Sequence, residues 1–242
     1  PLPAELLAVL RSVLRDESLD AGLRTAILTL PAESYLAEQV QVLDAQKLHR
    51  VREAMRAQLA RELQADWQAV LAAHSDTGAY VPEARAAGRR ALANLALSAI
   101  CLQAVATNDT VQQGKTLQRF KDASNMTDRW GALTALASSR SALAQAALDK
   151  FYQRYKDEAL VIDKWFALQA GLPEAQAAGT VLPQVKQLMQ HPAFNLKNPN
   201  RARSLVFAYC ANAAAFHRAD AAGYVFWAEQ VLALDSFNPP TA

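Results

Sequence analysis

The side chains able to do acid–base or metal chemistry are few and scattered. The four histidines are His49, His74, His191 and His217. None stands in an H-E-x-x-H, the helix-borne ligand pair with its general base that a zincin requires. His49 and Glu53 are four apart and so share a helix face, which could open a metal site. A catalytic zinc takes three protein ligands, however, and this pair sits on a face that also carries Arg52, Arg56, Arg61 and Glu62. A solvated ion pair is the reading taken. His217 follows Phe216 near a helix end, where capping or packing is its expected role. There is no G-x-S-x-G elbow, no Walker loop and no G-x-G-x-x-G. Asp163-Lys164-Trp165 reads as a surface ion pair beside a buried indole, a common and individually weak arrangement. The expected catalytic set is empty, with no metal ligand and no cofactor assigned to the chain.

The segment Asn198-Pro199-Asn200-Arg201-Ala202-Arg203-Ser204-Leu205 carries more information. An Asn cap, a Pro in the first turn and an apolar run beyond predict a helix start. Asn198 and Asn200 are short polar residues able to satisfy the exposed N–H groups there. Arg201 and Arg203, two apart, point about 200° from one another on a helix. One is expected to face solvent while the other faces a concave or interdomain surface. A helix N-terminus attracts anions, and an arginine there strengthens a carboxylate site at a small cost against the helix dipole. Asn125 predicts a second capped start, with Asp128 three residues on in a capping-box arrangement.

The elements that must position these residues are helical. Of the 242 residues 52% are hydrophobic, alanine dominates them, and only 8 are Gly. Ala, Leu, Gln, Arg and Glu lose little rotamer freedom in a helix. Leu48, Val51, Met55, Leu59, Leu63, Trp67 and Val70 recur every three or four residues and predict one helix over residues 45–73, capped by Asp44. Leu6, Leu7, Leu10, Val13 and Leu14 form a shorter stripe. Leu23, Ile27, Leu28 and Leu30 form another, stopped at Pro31. Residues 82–106 predict a long helix, apolar on most sides in its second half. A break follows at 107–110, then helices at 141–155, 159–170, 182–190, 199–210 and 221–234. No stretch alternates as a strand. The expected fold is all-α, a single curved superhelix of antiparallel helix pairs of the HEAT or armadillo kind, forming one domain over residues 1–242, with Gly78 to Pro82 as the weakest point.

Composition narrows the function classes. The 25 basic and 23 acidic residues give a net charge of +2, and bases alternate with acids from Arg50 to Arg61 instead of forming the stripe of a nucleic-acid binder. Cys101 and Cys210 both lie in apolar runs and read as buried free thiols, which fits a reducing compartment. No uncharged run reaches transmembrane length. The Pro-Leu-Pro start and the Asn238-Pro239-Pro240-Thr241-Ala242 end read as cut points in a longer polypeptide.

Five segments, in order and spacing, resemble the last, all-helical domain of the bacterial aminopeptidase N family of zinc metallo-aminopeptidases. They are Asn125-Met126-Thr127-Asp128, Val161 to Phe166 (VIDKWF), Leu188 to Phe194 (LMQHPAF), Asn198 to Leu205 and Ala213 to His217 (AAAFH). The likeness is strongest over residues 120–240 and thinner but continuous before them. It implies a non-catalytic C-terminal domain of an enzyme that removes N-terminal residues from peptides, using a zinc ion held by domains absent here. Such a domain curls over the active site, restricts access and lines the peptide channel. By that match Arg203 faces the channel, and Arg201 has no comparable role. Expected partners are the preceding catalytic and β domains of the same polypeptide and peptide substrates. No nucleic acid and no membrane is expected, and the location expected is cytoplasmic. The family domain continues past Asn238-Pro239, so its last helices are expected to be missing. The alternative is a free-standing helical-repeat module that binds a protein partner.

Overall fold

The computed structural model describes residues 2–75, 78–175 and 179–237, and all regular structure among them is helical. Residues 238–242, part of the expected truncation, lie outside the described residues. The chain divides into two compact units, Pro1–Ala32 with Val51–Leu148, and Glu33–Arg50 with Asp149–Ala242. The Gly78–Pro82 segment belongs to the first.

Helix α1 (Ala4–Arg15) and α2 (Ala21–Leu28) open the first unit, and α3 (Glu33–Glu38) opens the second. Only part of the two early stripes is buried. Leu14 and Leu28 enter the core, while Leu6, Leu23 and Ile27 are exposed. Asp20 Oδ1 accepts from the N–H groups of Gly22 and Leu23 and caps α2.

The long helix expected over residues 45–73 is two. Helix α4 (Ala45–Glu62) is capped by Asp44, whose Oδ1 accepts from Lys47 N–H at 2.9 Å. It stops at Leu63, where φ is −109° and ψ 20°, and α5 (Gln64–His74) begins. The Trp67 indole donates to the Leu59 carbonyl at 3.0 Å across this joint. The side chains of Leu59, Leu63, Trp67 and Val70 remain buried on one side, so the apolar stripe survives the break.

Helix α6 (Ala84–Ala106) is the spine of the first unit, packed by α2, α5, α7 (Thr110–Asp122) and α8 (Met126–Ser138). Its buried residues include Leu92, Ala93, Ala96, Leu97, Ile100, Cys101 and Ala104, a surface too broad for one neighbour to cover. Where α6 crosses α2, a Cβ on Gly88 would stand 2.8 Å from the main-chain nitrogen of Gly22, so the two backbones meet without side chains between them. Helix α7 was not expected from the sequence. Its buried face is Gln113, Thr116 and Phe120, which leaves little apolar period to see. Arg129 of α8 is buried and donates to the carbonyls of Phe120, Lys121 and Ala123, satisfying the end of α7.

The second unit holds α10 (Ala159–Ala170), α11 (Val181–Leu188), α12 (Pro199–Ala202), α13 (Ala208–Cys210), α14 (Ala213–Phe216) and α15 (Ala222–Asp235). Helix α9 (Ala144–Tyr155) precedes them. The core of this unit joins Phe151, Ile162, Phe166, Val181, Val185, Leu205, Tyr209 and Phe226, all fully buried or nearly so. At the turn into α15, a Cβ on Gly223 would stand 2.3 Å from the Phe216 carbonyl oxygen, so only glycine fits there.

Candidate functional site

The second unit sets the Asn198 segment against α10. Asn198 is the cap: its Oδ1 accepts from Asn200 N–H at 3.0 Å and Arg201 N–H at 3.3 Å. Pro199, next in line, has no N–H to satisfy. Asn200 contributes its main-chain N–H to that cap. The donors an anion would use at this helix start are therefore engaged by Asn198, which corrects the expectation of an anion-attracting N-terminus.

Between α12 and α13 the chain does not run as a regular helix. Residues Arg203–Phe207 form a π turn, in which Ala208 N–H reaches back to the Arg203 carbonyl. Single π turns inside helices are uncommon and recur at functional sites. This one begins at the residue singled out by sequence. Arg203 is exposed, while its neighbours Arg201, Ala202, Ser204, Leu205 and Val206 are buried.

Arg201 has a different task. Its guanidinium lies 2.8 Å from the Asp163 carboxylate, with side-chain exposures of 10% and 17%. It also sits 5.2 Å from the centre of the Phe166 ring. The Ser204 hydroxyl donates to the Arg201 carbonyl at 3.0 Å and approaches Asp163 Oδ1 at 3.5 Å. Asp163 is therefore the partner of an arginine 38 positions along the chain rather than of Lys164 beside it, and the expected local surface pair is corrected. Trp165 is buried, as expected.

His191 stands against the same wall. Its ring centre is 4.6 Å from that of Tyr152, 5.3 Å from Trp165 and 5.9 Å from Phe166. Its Nδ1 accepts from Ala193 N–H at 3.1 Å, which requires the neutral ring. Burial, and then the nearby Arg201 charge, hold its pKa below the ordinary histidine value.

The other histidines have local partners. His49 is buried, with Nδ1 2.7 Å from Glu33 Oε1 and Nε2 3.1 Å from the Glu174 carbonyl oxygen. Glu53 is bound by Arg56 at 2.7 and 3.0 Å. His74 Nδ1 lies 3.1 Å from the Val70 carbonyl, and His217 Nδ1 lies 2.6 Å from the Tyr224 hydroxyl. These rings are held in place by oxygens from their own surroundings. His49 is thus a buried ring set against the Glu33 carboxylate, which corrects the expected solvated pair with Glu53.

Cys101 is buried and Cys210 half-buried, so the expectation of two buried thiols holds for the first. Burial pushes the Cys101 thiol up and the Cys210 thiol to about 11. A raised thiol pKa lowers the share of thiolate, the form that acts as a nucleophile. Tyr209, fully buried with its hydroxyl donating to the Ala215 carbonyl at 3.2 Å, is pushed to about 12 by burial. Among the described residues no helix is long and apolar enough to cross a membrane.

This arrangement presents an exposed arginine on a locally irregular helix. The comparisons with known proteins agree in kind. A family described as a domain of unknown function (DUF3458_C), ARM repeats, matches residues 1–242. The chain belongs to that family. As an ARM-repeat domain it shares 36% identity over its whole length with aminopeptidase N of Escherichia coli, 35% over 94% of its length with that of Caulobacter vibrioides, and 34% over 98% with that of Haemophilus influenzae. It covers 27%, 26% and 26% of those proteins, about a quarter of their length. Among solved structures, Legionella pneumophila aminopeptidase A in complex with aspartic acid matches all of the chain with a TM-score of 0.85 and 28% identity, over 28% of its own chain. The all-helical, armadillo-type expectation and the aminopeptidase resemblance are both borne out.

Proposed function

We propose that this ARM-repeat domain is the non-catalytic C-terminal helical domain of a zinc-dependent aminopeptidase that removes N-terminal residues from peptides. The observation that carries the reading is the match of the entire chain to about a quarter of several aminopeptidase N proteins, joined to a sequence with no H-E-x-x-H. The reading takes residues 1–242 as one helical domain of a longer, cytoplasmic enzyme. Its partners are the preceding catalytic and β domains of the same polypeptide, and its contact with substrate is made by Arg203. Zinc, held by the parent's other domains, would supply Lewis-acid chemistry toward the scissile carbonyl and water. This chain supplies no group to that step. It caps the active site, restricts access to short or unfolded peptides and presents polar groups beyond the cleaved bond. An exposed guanidinium suits the last role, because it can hydrogen-bond a peptide carbonyl or pair with a C-terminal carboxylate.

Metal analysis and peptidase assays of the purified 242-residue chain, beside the longer polypeptide that contains it, test this. The expected result is hydrolysis and one bound zinc for the longer protein and neither for the chain alone. A zinc ion held by each isolated chain, or peptide hydrolysis by it, would overturn the assignment.

A further inference from the structure

We infer that Asp163 is a positioning residue for Arg203, acting through Arg201 and Ser204. The inference rests on the reading of Arg203 as the peptide-facing residue and adds to it the device that holds this side chain outward.

Arg203 is exposed, and buried contacts hold the residues on either side of it. What fixes it is the backbone on either side. Two residues before it, Arg201 is pinned by the 2.8 Å ion pair to Asp163 and packed on Phe166. One residue after it, Ser204 donates to the Arg201 carbonyl and approaches the same Asp163 oxygen. The carboxylate on α10 thus gathers the residues flanking Arg203 onto the buried side, and Arg203 is what remains to face out. The π turn starts at this point. A π turn widens the helix and leaves main-chain groups with poorer partners, so it persists only where surrounding contacts hold it. The ion pair of Asp163 with Arg201 is one such contact, and the Ser204 hydroxyl, donating to the Arg201 carbonyl, ties the far side of Arg203 to the same residue.

Removing the carboxylate alone leaves a buried guanidinium unpaired, and that variant could fail simply by unfolding. The informative variant replaces both partners with apolar residues of similar size, Asp163→Leu with Arg201→Met, which keeps the packing and leaves no uncompensated charge. In the intact enzyme this paired variant is expected to raise KM for tri- and tetrapeptides about fivefold relative to KM for a single-residue amide, equal to the effect of Arg203→Ala, with kcat moving little. Combining it with Arg203→Ala is expected to add no further rise, because both remove one contact. Wild-type peptide KM in the folded paired variant, with Arg203→Ala still defective, would overturn the positioning role and leave the Arg203 reading standing. Wild-type behaviour in both would overturn both. A general loss on peptides and amide alike would mark a merely structural ion pair and equally reject the inference.

Discussion

The Arg201 guanidinium and the Asp163 carboxylate face each other at 2.8 Å in the second unit, nearly closed off from solvent. Two residues away, Arg203 stands exposed. The pair of arginines therefore divides into one that holds the fold and one that is free to meet a ligand. Their spacing predicts that the two point apart, one to solvent and one to a concave or interdomain surface; the burial of Arg201 against Asp163 is not part of that expectation.

The first prediction follows directly. Arg201→Ala leaves a largely buried carboxylate without its partner and is expected to destabilise the chain by about 3 kcal/mol. Arg203→Ala removes an exposed side chain and is expected to change stability by about 0.5 kcal/mol or less. Urea unfolding of the two variants distinguishes them. Equal effects would show that the ion pair is not what braces this segment.

Two of the asparagine caps give a second. Asn125 Oδ1 accepts from Asp128 N–H at 2.9 Å, and its Nδ2 donates back to Asp128 Oδ2 at 2.7 Å. Asn198 serves two N–H groups. Each Asn→Ala change is expected to cost about 1 kcal/mol. Asn200→Ala, whose main-chain N–H would still reach Asn198, is expected to cost less than either. A larger loss at Asn200 would assign its side chain a role that the cap geometry does not.

The third prediction concerns pH. The folded state holds the His191 pKa below its ordinary value, so between the folded and unfolded values the unfolded chain binds more protons. By linkage, stability falls as pH drops below about 6.5, the unfolded histidine value, and levels off only below the folded pKa. Protonation also removes the Nδ1 acceptor that Ala193 uses. Melting temperatures from pH 7.5 to 5.5 are expected to fall in the wild-type chain and to fall less in His191→Gln. Identical pH profiles for the two proteins would assign the acid sensitivity to another group.

Much of the fold is legible in the sequence where packing is local. The bounds of α10 coincide with those read from its composition, because Gly171 follows its last apolar residue directly. The stripe from Leu59 to Val70 identifies the buried side of α4 and α5. The break at Leu63 is not legible, since the indole of Trp67 reaching the Leu59 carbonyl is a feature of the folded joint. Helix α7 escapes notice because its buried face is half polar. At the candidate site, Arg203 is singled out by the family resemblance alone, while the Asn198 cap and the divergence of the two arginines can be read from types and spacing. The π turn cannot, because no residue type specifies it. Nor can the Asp163 partnership, which joins positions 38 apart and replaces an apparent pairing with the adjacent lysine.

The proposed role of Arg203 is contact with the peptide beyond the cleaved bond, in a parent aminopeptidase whose catalytic groups lie in other domains. It is tested most directly by steady-state kinetics of the intact enzyme carrying Arg203→Ala, with a tetrapeptide and a single-residue amide as parallel substrates. A charged hydrogen bond at a wet surface is worth about 1 kcal/mol, or roughly fivefold. The account predicts that the ratio of kcat/KM for tetrapeptide over amide falls about fivefold. An unchanged ratio would contradict it.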